Sequence, residues 1–275
     1  MKTVTIAGTT VPALGMGTWN IGDSSAKRAA EIEALRVGLD AGLTVIDTAE
    51  MYGSGRSEKL VGEAIAGRRD EVYLVTKVLP SNASTSGVQR ACEASLKRLG
   101  TDHVDLYLLH WSGGVPLSDT VEGFERLRDQ GKIGAWGVSN FDVDDMENLE
   151  SVSPDCAANQ ILYSLEYRGT EFDLLERDRE AGVVTMAYSP LGQGGDLLQH
   201  PALATIARRH GAKPAQVALA WVLRQDNMLA IPKAGTAAHQ RDNIEGAKLQ
   251  LTGEDLAELD AAFAPPKRKR HLAML

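Results

Sequence analysis

Short runs of apolar and β-branched residues recur along the chain and alternate with longer stretches that carry apolar residues at helical spacing. The clearest apolar runs end at Asp47, Lys77, His110 and Asn140. Continuous apolar runs of this kind are typical of parallel strands that are buried on both faces. Successive runs end about 30 residues apart, which is the length of one strand plus a covering helix and its loops. The pattern therefore predicts a repeated βα unit.

Weaker apolar runs extend this repeat to eight predicted strands. The first is LGMGT at residues 14–18, and the others are ANQIL around Gln160, VVTMAYS ending at Ser189 and MLAIPK ending at Lys233. Between the strands, residues 32–39 and 88–99 carry apolar side chains at helical spacing. A glycine follows each of these stretches closely and can end a helix there.

An open, doubly wound sheet would show the same alternation of strands and helices. Its Gly-x-Gly-x-x-Gly fingerprint for dinucleotides is missing, because Gly15-Met16-Gly17 is followed by Thr18-Trp19-Asn20. We therefore predict an α/β fold, a (β/α)8 TIM barrel that forms a single domain over residues 1–275. Residues 1–12 are expected to form a hairpin that caps the barrel base, and residues 252–275 a helix and a loose tail.

The composition is that of an ordinary globular protein, with 43% hydrophobic and 24% charged residues. The net charge of −8 disfavours nonspecific binding to nucleic acid or to an anionic membrane, so a small-molecule partner is expected. The basic run at 267–270 is interpreted as a solvated tail without a function. No exposed apolar stripe stands out, and a monomer is the default expectation.

Two cysteines, Cys92 and Cys156, lie in stretches that are predicted to be buried. A disulfide framework of the kind found in secreted proteins is therefore not expected. The first ten residues lack the apolar segment of a signal peptide, and no run approaches the 18 apolar residues of a membrane span. A cytoplasmic location is predicted.

Titratable residues stand where three consecutive predicted strands end. Asp47, Lys77 and His110 each close an apolar run, and Tyr52 follows Asp47 in the next loop. Because strands of a closed barrel end on one face, these four side chains should converge at one rim. Each residue alone is explained as well by an ion pair or by packing, but the combination indicates a catalytic site.

Tyr52 needs a partner if it is to donate a proton at neutral pH, because a free tyrosine has a pKa of about 10. A lysine ammonium about 4 Å away stabilises the phenolate by roughly 4 kcal/mol, or ~3 pKa units before burial opposes it. Lys77 is the candidate for this role. Asp47 is the candidate for the carboxylate that keeps Lys77 charged.

Several segments match a known family. DTAEMYGSGRSEKLVGEAI at 47–65 is similar to the first signature of the aldo-keto reductases, VTKV supplies that family's lysine, and LYLLHW its histidine. GKIGAWGVSN, NQILYS, AYSPL and IPKAGTAAHQRDN follow in the family's order, so the chain resembles this family over essentially its whole length. Its branch resembles bacterial reductases of methylglyoxal and similar small carbonyls. The resemblance implies hydride transfer from NADPH to an aldehyde or ketone.

The resemblance also implies a role for each site residue. Asp47, Tyr52, Lys77 and His110 would form a catalytic tetrad in which Tyr52 is the general acid and His110 orients the carbonyl. The cofactor would contact Gly17, Thr18, Trp19, Asp47, Ser139, Asn140, Gln160, Tyr188, Ser189, Pro190, Leu191, Ile231, Lys233, Ala234, His239, Asp242 and Asn243. The substrate would contact Trp19, Met51, Tyr52, His110 and Trp111.

Within this resemblance, cofactor choice depends on the last strand and the helix after it. Lys233 would meet the 2′-phosphate of NADPH, but the family's next hydroxyl residue is Ala234 here and its arginine is His239. Arg241 is a candidate replacement for that arginine. A weaker phosphate clamp predicts a modest preference for NADPH, with NADH also accepted.

Three other functions were compared with the reductase. A barrel aldolase would use Lys77 as a Schiff-base nucleophile, which requires a neutral amine. A regulatory subunit could bind NADPH without catalysing a reaction. A metal hydrolase is disfavoured because no histidines stand at ligand spacing such as His-x-x-x-His, so no metal site is expected.

Overall fold

The computed structural model describes residues 1–193 and 195–275. Its strands are β1 (Thr3–Ile6), β2 (Thr9–Pro12), β3 (Met16–Gly17), β4 (Val45–Asp47), β5 (Tyr73–Val78), β6 (Val104–Leu109), β7 (Ile133–Ser139), β8 (Ala158–Leu162), β9 (Val184–Tyr188) and β10 (Met228–Ala230). Its helices are α1 (Arg28–Asp40), α2 (Arg56–Ala64), α3 (Thr85–Leu99), α4 (Leu117–Asp129), α5 (Val143–Val152), α6 (Leu174–Glu180), α7 (Pro201–Arg209), α8 (Pro214–Leu223), α9 (Ala237–Gly246) and α10 (Gly253–Ala262).

Strands β3 to β10 form one parallel sheet in which each strand pairs with its neighbours along the chain. The two outer strands also meet each other, because Leu14 bridges to Ala230 and Gly17 to Lys233. At this seam the Gly15 amide donates to the carbonyl of Ala230 at 2.8 Å. The sheet therefore closes on itself, and the predicted (β/α)8 barrel is confirmed.

Helix α3 illustrates how the sequence sets the covering layer. The Ser84 hydroxyl accepts the amide of Gly87 at its start, and Gly100 ends it with a φ of 69°. Its apolar face, which includes Val88 and Cys92, is fully buried against the sheet. The helices predicted at 32–39 and 88–99 are both present, as α1 and α3.

The predicted N-terminal hairpin is also present. Strands β1 and β2 pair in antiparallel fashion, with Ile6 and Val11 buried. The Lys2 ammonium donates to the carbonyl of Arg224, which precedes β10, and the Ala13 amide donates to the carbonyl of Lys2. These contacts lie beside the barrel end at which the strands begin.

The C-terminal segment after α10 is held in place, whereas a loose tail was expected. The Arg168 guanidinium donates to the carbonyl of Phe263 as this segment begins. Further along, the Lys269 ammonium bridges Asp142 at 2.5 Å and Asp173 at 2.9 Å. All four residues of the run at 267–270 are exposed, as a solvated run requires, and Lys269 in addition pairs with carboxylates from two separate loops.

Both cysteines are free and buried, as predicted. Burial raises the pKa of each thiol to about 12, which leaves both of them protonated and unreactive. Among the described residues, no helix is long and apolar enough to cross a membrane. The same residues contain no group of three or more His, Cys, Asp or Glu side chains arranged to hold a metal ion.

Replacement of Gly17 by alanine is expected to destabilise the barrel seam. A Cβ on Gly17 would lie 2.5 Å from the carbonyl oxygen of Ile231, which is backbone and cannot rotate away. The expected loss in the free energy of unfolding is roughly 1–3 kcal/mol, as for other overpacked sites. Urea denaturation followed by circular dichroism measures it.

Gly114 provides a matched control, because a Cβ there meets no atom within 4 Å. Gly114→Ala should change the free energy of unfolding by less than about 0.5 kcal/mol. Equal stability of the Gly17→Ala and Gly114→Ala variants would contradict the close approach of the two outer strands.

Candidate active site

The carboxyl ends of the barrel strands border a cleft of about 810 Å³. All of the predicted site residues line it except Lys77, which lies beneath its floor, and Ala234, which is buried. Residues that the sequence did not indicate also line the cleft. They are Asn20, Gln193, Leu198, Lys213, Ala215, Pro232, Met274 and Leu275.

A buried ion pair lies at the floor of the cleft. The Lys77 ammonium is 2.9 and 2.8 Å from the two carboxylate oxygens of Asp47, and both side chains are almost completely buried. The same ammonium donates to the carbonyl of Thr48 at 2.9 Å and to the Tyr52 hydroxyl at 3.1 Å. Asp47, Lys77 and Tyr52 are therefore brought together as predicted.

Side chains from three elements hold Asp47 in position. The Gln160 amide of β8 donates to a carboxylate oxygen of Asp47 at 2.8 Å, across the interior of the barrel. The Thr18 hydroxyl donates to the Asp47 carbonyl at 2.9 Å, and the Ser57 hydroxyl lies 2.7 Å from that of Thr18. Thr18 is fully buried, so its side chain acts on Asp47 rather than on the open cleft.

The charge on Lys77 is maintained despite its burial. Burial alone would lower the pKa of the Lys77 ammonium, but the neighbouring Asp47 carboxylate and the Tyr52 hydroxyl oppose this and the pKa is raised. An aldolase nucleophile needs the neutral amine. The arrangement around Lys77 therefore disfavours the Schiff-base mechanism.

Tyr52 is a protonated hydroxyl in this setting. Burial raises its pKa, the Lys77 ammonium lowers it, and the Asp47 carboxylate raises it, so that the pKa stays above its ordinary value. Burial therefore has a larger effect on the pKa of Tyr52 than the Lys77 ammonium, contrary to the expectation from the sequence. Tyr52 thus carries the proton that a general acid would donate.

His110 lies beside Tyr52, with the two ring centroids 5.8 Å apart. Burial, together with the nearby Lys77 charge, lowers the pKa of His110 to about 3. Its Nδ1 atom is buried and has no hydrogen-bond partner among the described residues. The ring is therefore a neutral imidazole that can donate one N–H.

A polar cluster from the ends of β7 and β9 forms one wall of the cleft. The Tyr188 hydroxyl donates to Oδ1 of Asn140 at 2.9 Å, and Nδ2 of Asn140 donates to the His110 carbonyl at 3.2 Å. The Ser139 hydroxyl donates to the Gln160 carbonyl at 2.8 Å. Asn140 and Ser189 both have positive φ, which turns the chain sharply where each strand ends.

The far end of the cleft is built by helices α8 and α9. The Lys213 ammonium donates to both carboxylate oxygens of Asp242 at 2.7 Å. The buried Nδ2 atom of Asn243 has no partner within the described part of the chain. Lys233 and His239 also line this end, whereas Arg241 does not.

Different signals could have revealed the missed residues. Lys213 precedes Pro214, a proline at the start of α8, so its place at a helix start could have been predicted. Met274 and Leu275 reach the cleft because the tail is anchored by Lys269, and no local pattern in the sequence indicates that contact.

Comparisons with known proteins all identify similar aldo/keto reductases. The family model described as the aldo/keto reductase family matches residues 13–264. The methylglyoxal reductase YeaE of Escherichia coli is 48% identical over 271 residues, which cover 96% of this chain and 95% of that protein.

Two solved structures from Klebsiella pneumoniae are also similar. One aldo/keto reductase, in complex with NADP and acetate, has a TM-score of 0.98 and 48% identity over 100% of this chain and 99% of that one. Another, in complex with NADPH, has a TM-score of 0.97 and 47% identity over 100% of both chains.

The imidazole of His110 is expected to remain neutral between pH 8 and pH 5, because burial and Lys77 lower its pKa to about 3. Proton NMR spectra recorded over this range should show one ring signal that does not shift. His110→Gln identifies that signal by its loss. A titration with a midpoint near the ordinary histidine value of about 6.5 would contradict the buried, neutral ring.

Proposed function

The chain belongs to the aldo/keto reductase family, and we propose that it reduces small aldehydes and ketones, such as methylglyoxal, to alcohols with NADPH. The observation that carries the proposal is the Tyr52 hydroxyl, which lies in the cleft and contacts a buried lysine that is paired with a carboxylate. The names of similar proteins support the substrate and the cofactor, since one relative is a methylglyoxal reductase and one similar structure contains NADPH.

The cleft residues suit a nicotinamide dinucleotide. NADPH would supply the hydride when bound, and Ser139, Asn140 and Gln160 would hold its carboxamide while the Tyr188 ring would pack against the nicotinamide. At the other end, the Nδ2 donor of Asn243 has no partner among the described residues and is suited to an adenine nitrogen. Pro190 and Leu191 line the path between the two ends.

Tyr52 would donate its proton to the carbonyl oxygen of the substrate. A phenolate forms as the proton leaves, and the Lys77 ammonium at 3.1 Å from the hydroxyl would stabilise that charge. Asp47 keeps Lys77 protonated, so the positive charge is already present when the phenolate develops. This arrangement stabilises the negative charge that develops on the Tyr52 oxygen in the transition state more than it stabilises the starting hydroxyl, and this lowers the barrier to proton transfer.

His110 would position the substrate carbonyl. A neutral ring beside Tyr52 can donate a hydrogen bond to the same oxygen without competing for its proton. Trp19, Met51 and Trp111 form apolar walls above this point, and each side chain lines the cleft. We propose that these walls admit small carbonyl compounds of several shapes.

An alternative is that the chain binds NADPH without catalysing a reaction. A binding protein has no need of a buried ammonium that donates to a tyrosine hydroxyl. The hydrogen bond between Lys77 and Tyr52 therefore favours the reductase.

Removal of the Tyr52 hydroxyl is expected to abolish most of the activity. Tyr52→Phe keeps the ring but removes the proton donor, so kcat with methylglyoxal should fall by roughly 10²–10⁴-fold. The dissociation constant of NADPH should change little. Absorbance at the NADPH band gives the rate, and quenching of protein fluorescence gives the dissociation constant.

Tyr167→Phe is a suitable control, because Tyr167 is exposed and does not line the cleft. It should retain the wild-type kcat. A Tyr52→Phe variant with near wild-type kcat would contradict the assignment of the proton donor. Wild-type protein that binds NADPH but reduces no carbonyl in an aldehyde and ketone panel would favour the binding protein instead.

A further inference from the structure

We propose that Lys213, in addition to Lys233, binds the 2′-phosphate of NADPH and contributes to the way this chain distinguishes NADPH from NADH. The inference rests on the proposed function, because it requires that NADPH occupies the cleft. Lys213 lies at the start of α8 and lines the far end of the cleft with Lys233, His239 and Asp242. It thus adds a cation to the end of the cleft at which Lys233 lies.

Two of the other candidates for a phosphate clamp, Ala234 and Arg241, are poorly placed. Ala234 is buried, offers no hydroxyl and does not line the cleft. Arg241, which the sequence suggested as a replacement for the family's arginine, is exposed and lies outside the cleft lining. Lys213 is therefore a better candidate than Arg241 for binding the 2′-phosphate.

Within the described part of the chain, the Lys213 ammonium hydrogen-bonds to Asp242 alone and can donate to a further partner. Its ammonium has three N–H donors, and two of them are directed at the oxygens of Asp242. Its side chain is 64% exposed, whereas that of Asp242 is 28% exposed. The remaining donor can reach a phosphate while the contact with Asp242 persists.

The backbone beneath Lys213 is held in place. The Lys213 amide donates to the side-chain oxygen of Gln216 at 2.8 Å, and the Gln216 amide donates to the Asp242 carbonyl at 3.2 Å. These bonds tie the start of α8 to α9. A flexible, charged side chain thus extends from a fixed point beside the cleft.

The opposite charges of Lys213 and Asp242 explain why these two residues would discriminate between NADPH and NADH. A 2′-phosphate placed near Asp242 meets a negative charge, which the Lys213 ammonium offsets by binding both groups. NADH carries a 2′-hydroxyl instead, which can donate to the Asp242 carboxylate and has no need of Lys213. Loss of Lys213 should therefore weaken NADPH binding and leave NADH binding nearly unchanged.

The test measures the dissociation constants of NADPH and NADH by quenching of protein fluorescence in the absence of a carbonyl substrate. Lys213→Gln should weaken NADPH binding by roughly tenfold, in line with the loss of one charge-assisted hydrogen bond. Its affinity for NADH should stay within about twofold of the wild type, since no bond to NADH is lost. Lys213→Arg should retain most of the NADPH affinity.

Lys248→Gln is a matched control for the change in charge. Lys248 is also an exposed lysine, and its ammonium pairs with Glu245 of α9 at 2.7 Å. It does not line the cleft. Equal losses of NADPH affinity in the Lys213→Gln and Lys248→Gln variants would overturn the proposal, because they would reflect net charge alone.

A second comparison separates direct contact from simple neutralisation of Asp242. If Lys213 touches the phosphate, Lys213→Gln should also weaken NADPH binding when it is combined with Asp242→Asn. An unchanged affinity in that background would overturn the direct contact. Adenosine 2′,5′-bisphosphate and 5′-AMP serve as fragment probes, and only the former should lose affinity in Lys213→Gln.

Different outcomes would contradict the proposed function and the role of Lys213. Wild-type protein that binds neither NADPH nor NADH would contradict the proposed function itself. Wild-type protein that binds NADPH, together with a Lys213→Gln variant of unchanged NADPH affinity, would overturn only the role of Lys213. Circular dichroism of each variant shows whether the fold is intact.

Discussion

The candidate active site depends on the buried ion pair between Lys77 and Asp47. Removing two charges from water is costly, and their attraction compensates only when further hydrogen bonds satisfy both groups. The Thr48 carbonyl and the Gln160 amide provide those bonds, at 2.9 Å to Lys77 and 2.8 Å to Asp47. Since these groups come from different strands and loops of the barrel, the closed sheet is what keeps the pair together. The ion pair also helps to position Tyr52, because the Lys77 ammonium donates a hydrogen bond to the Tyr52 hydroxyl.

Burial affects each titratable group of the site in a different way. It raises the pKa of Tyr52, so the hydroxyl keeps its proton, and it lowers that of His110, so the ring stays neutral. For Lys77, the Asp47 carboxylate outweighs burial and the ammonium keeps its charge. The floor of the cleft thus holds a protonated hydroxyl and a neutral imidazole, with a buried cation beneath them.

The sequence predicted the barrel and the floor of the site for a common physical reason. Strands that are buried on both faces form continuous apolar runs, so a charged residue such as Lys77 or Asp47 that closes a run is conspicuous. The residues at the far end and at the rim of the cleft were harder to predict from the sequence. Lys213 and Leu275 reach the cleft through loops and a tail whose course depends on contacts distant in sequence, such as that of Lys269 with Asp142. The balance between burial and charge at Tyr52 also required the packed structure.

The seam of the barrel has a consequence for how the chain folds. Strand β3 comes almost first in the sequence and β10 almost last, yet Gly15 and Ala230 must meet for the sheet to close. Contacts this distant along the chain are slow to form, because a long loop must be closed before any stabilisation is gained. During synthesis the first strands emerge from the ribosome well before their final neighbour exists. The edge of β3 therefore remains unpaired on the nascent chain, open to association with other unpaired strands until translation is nearly complete.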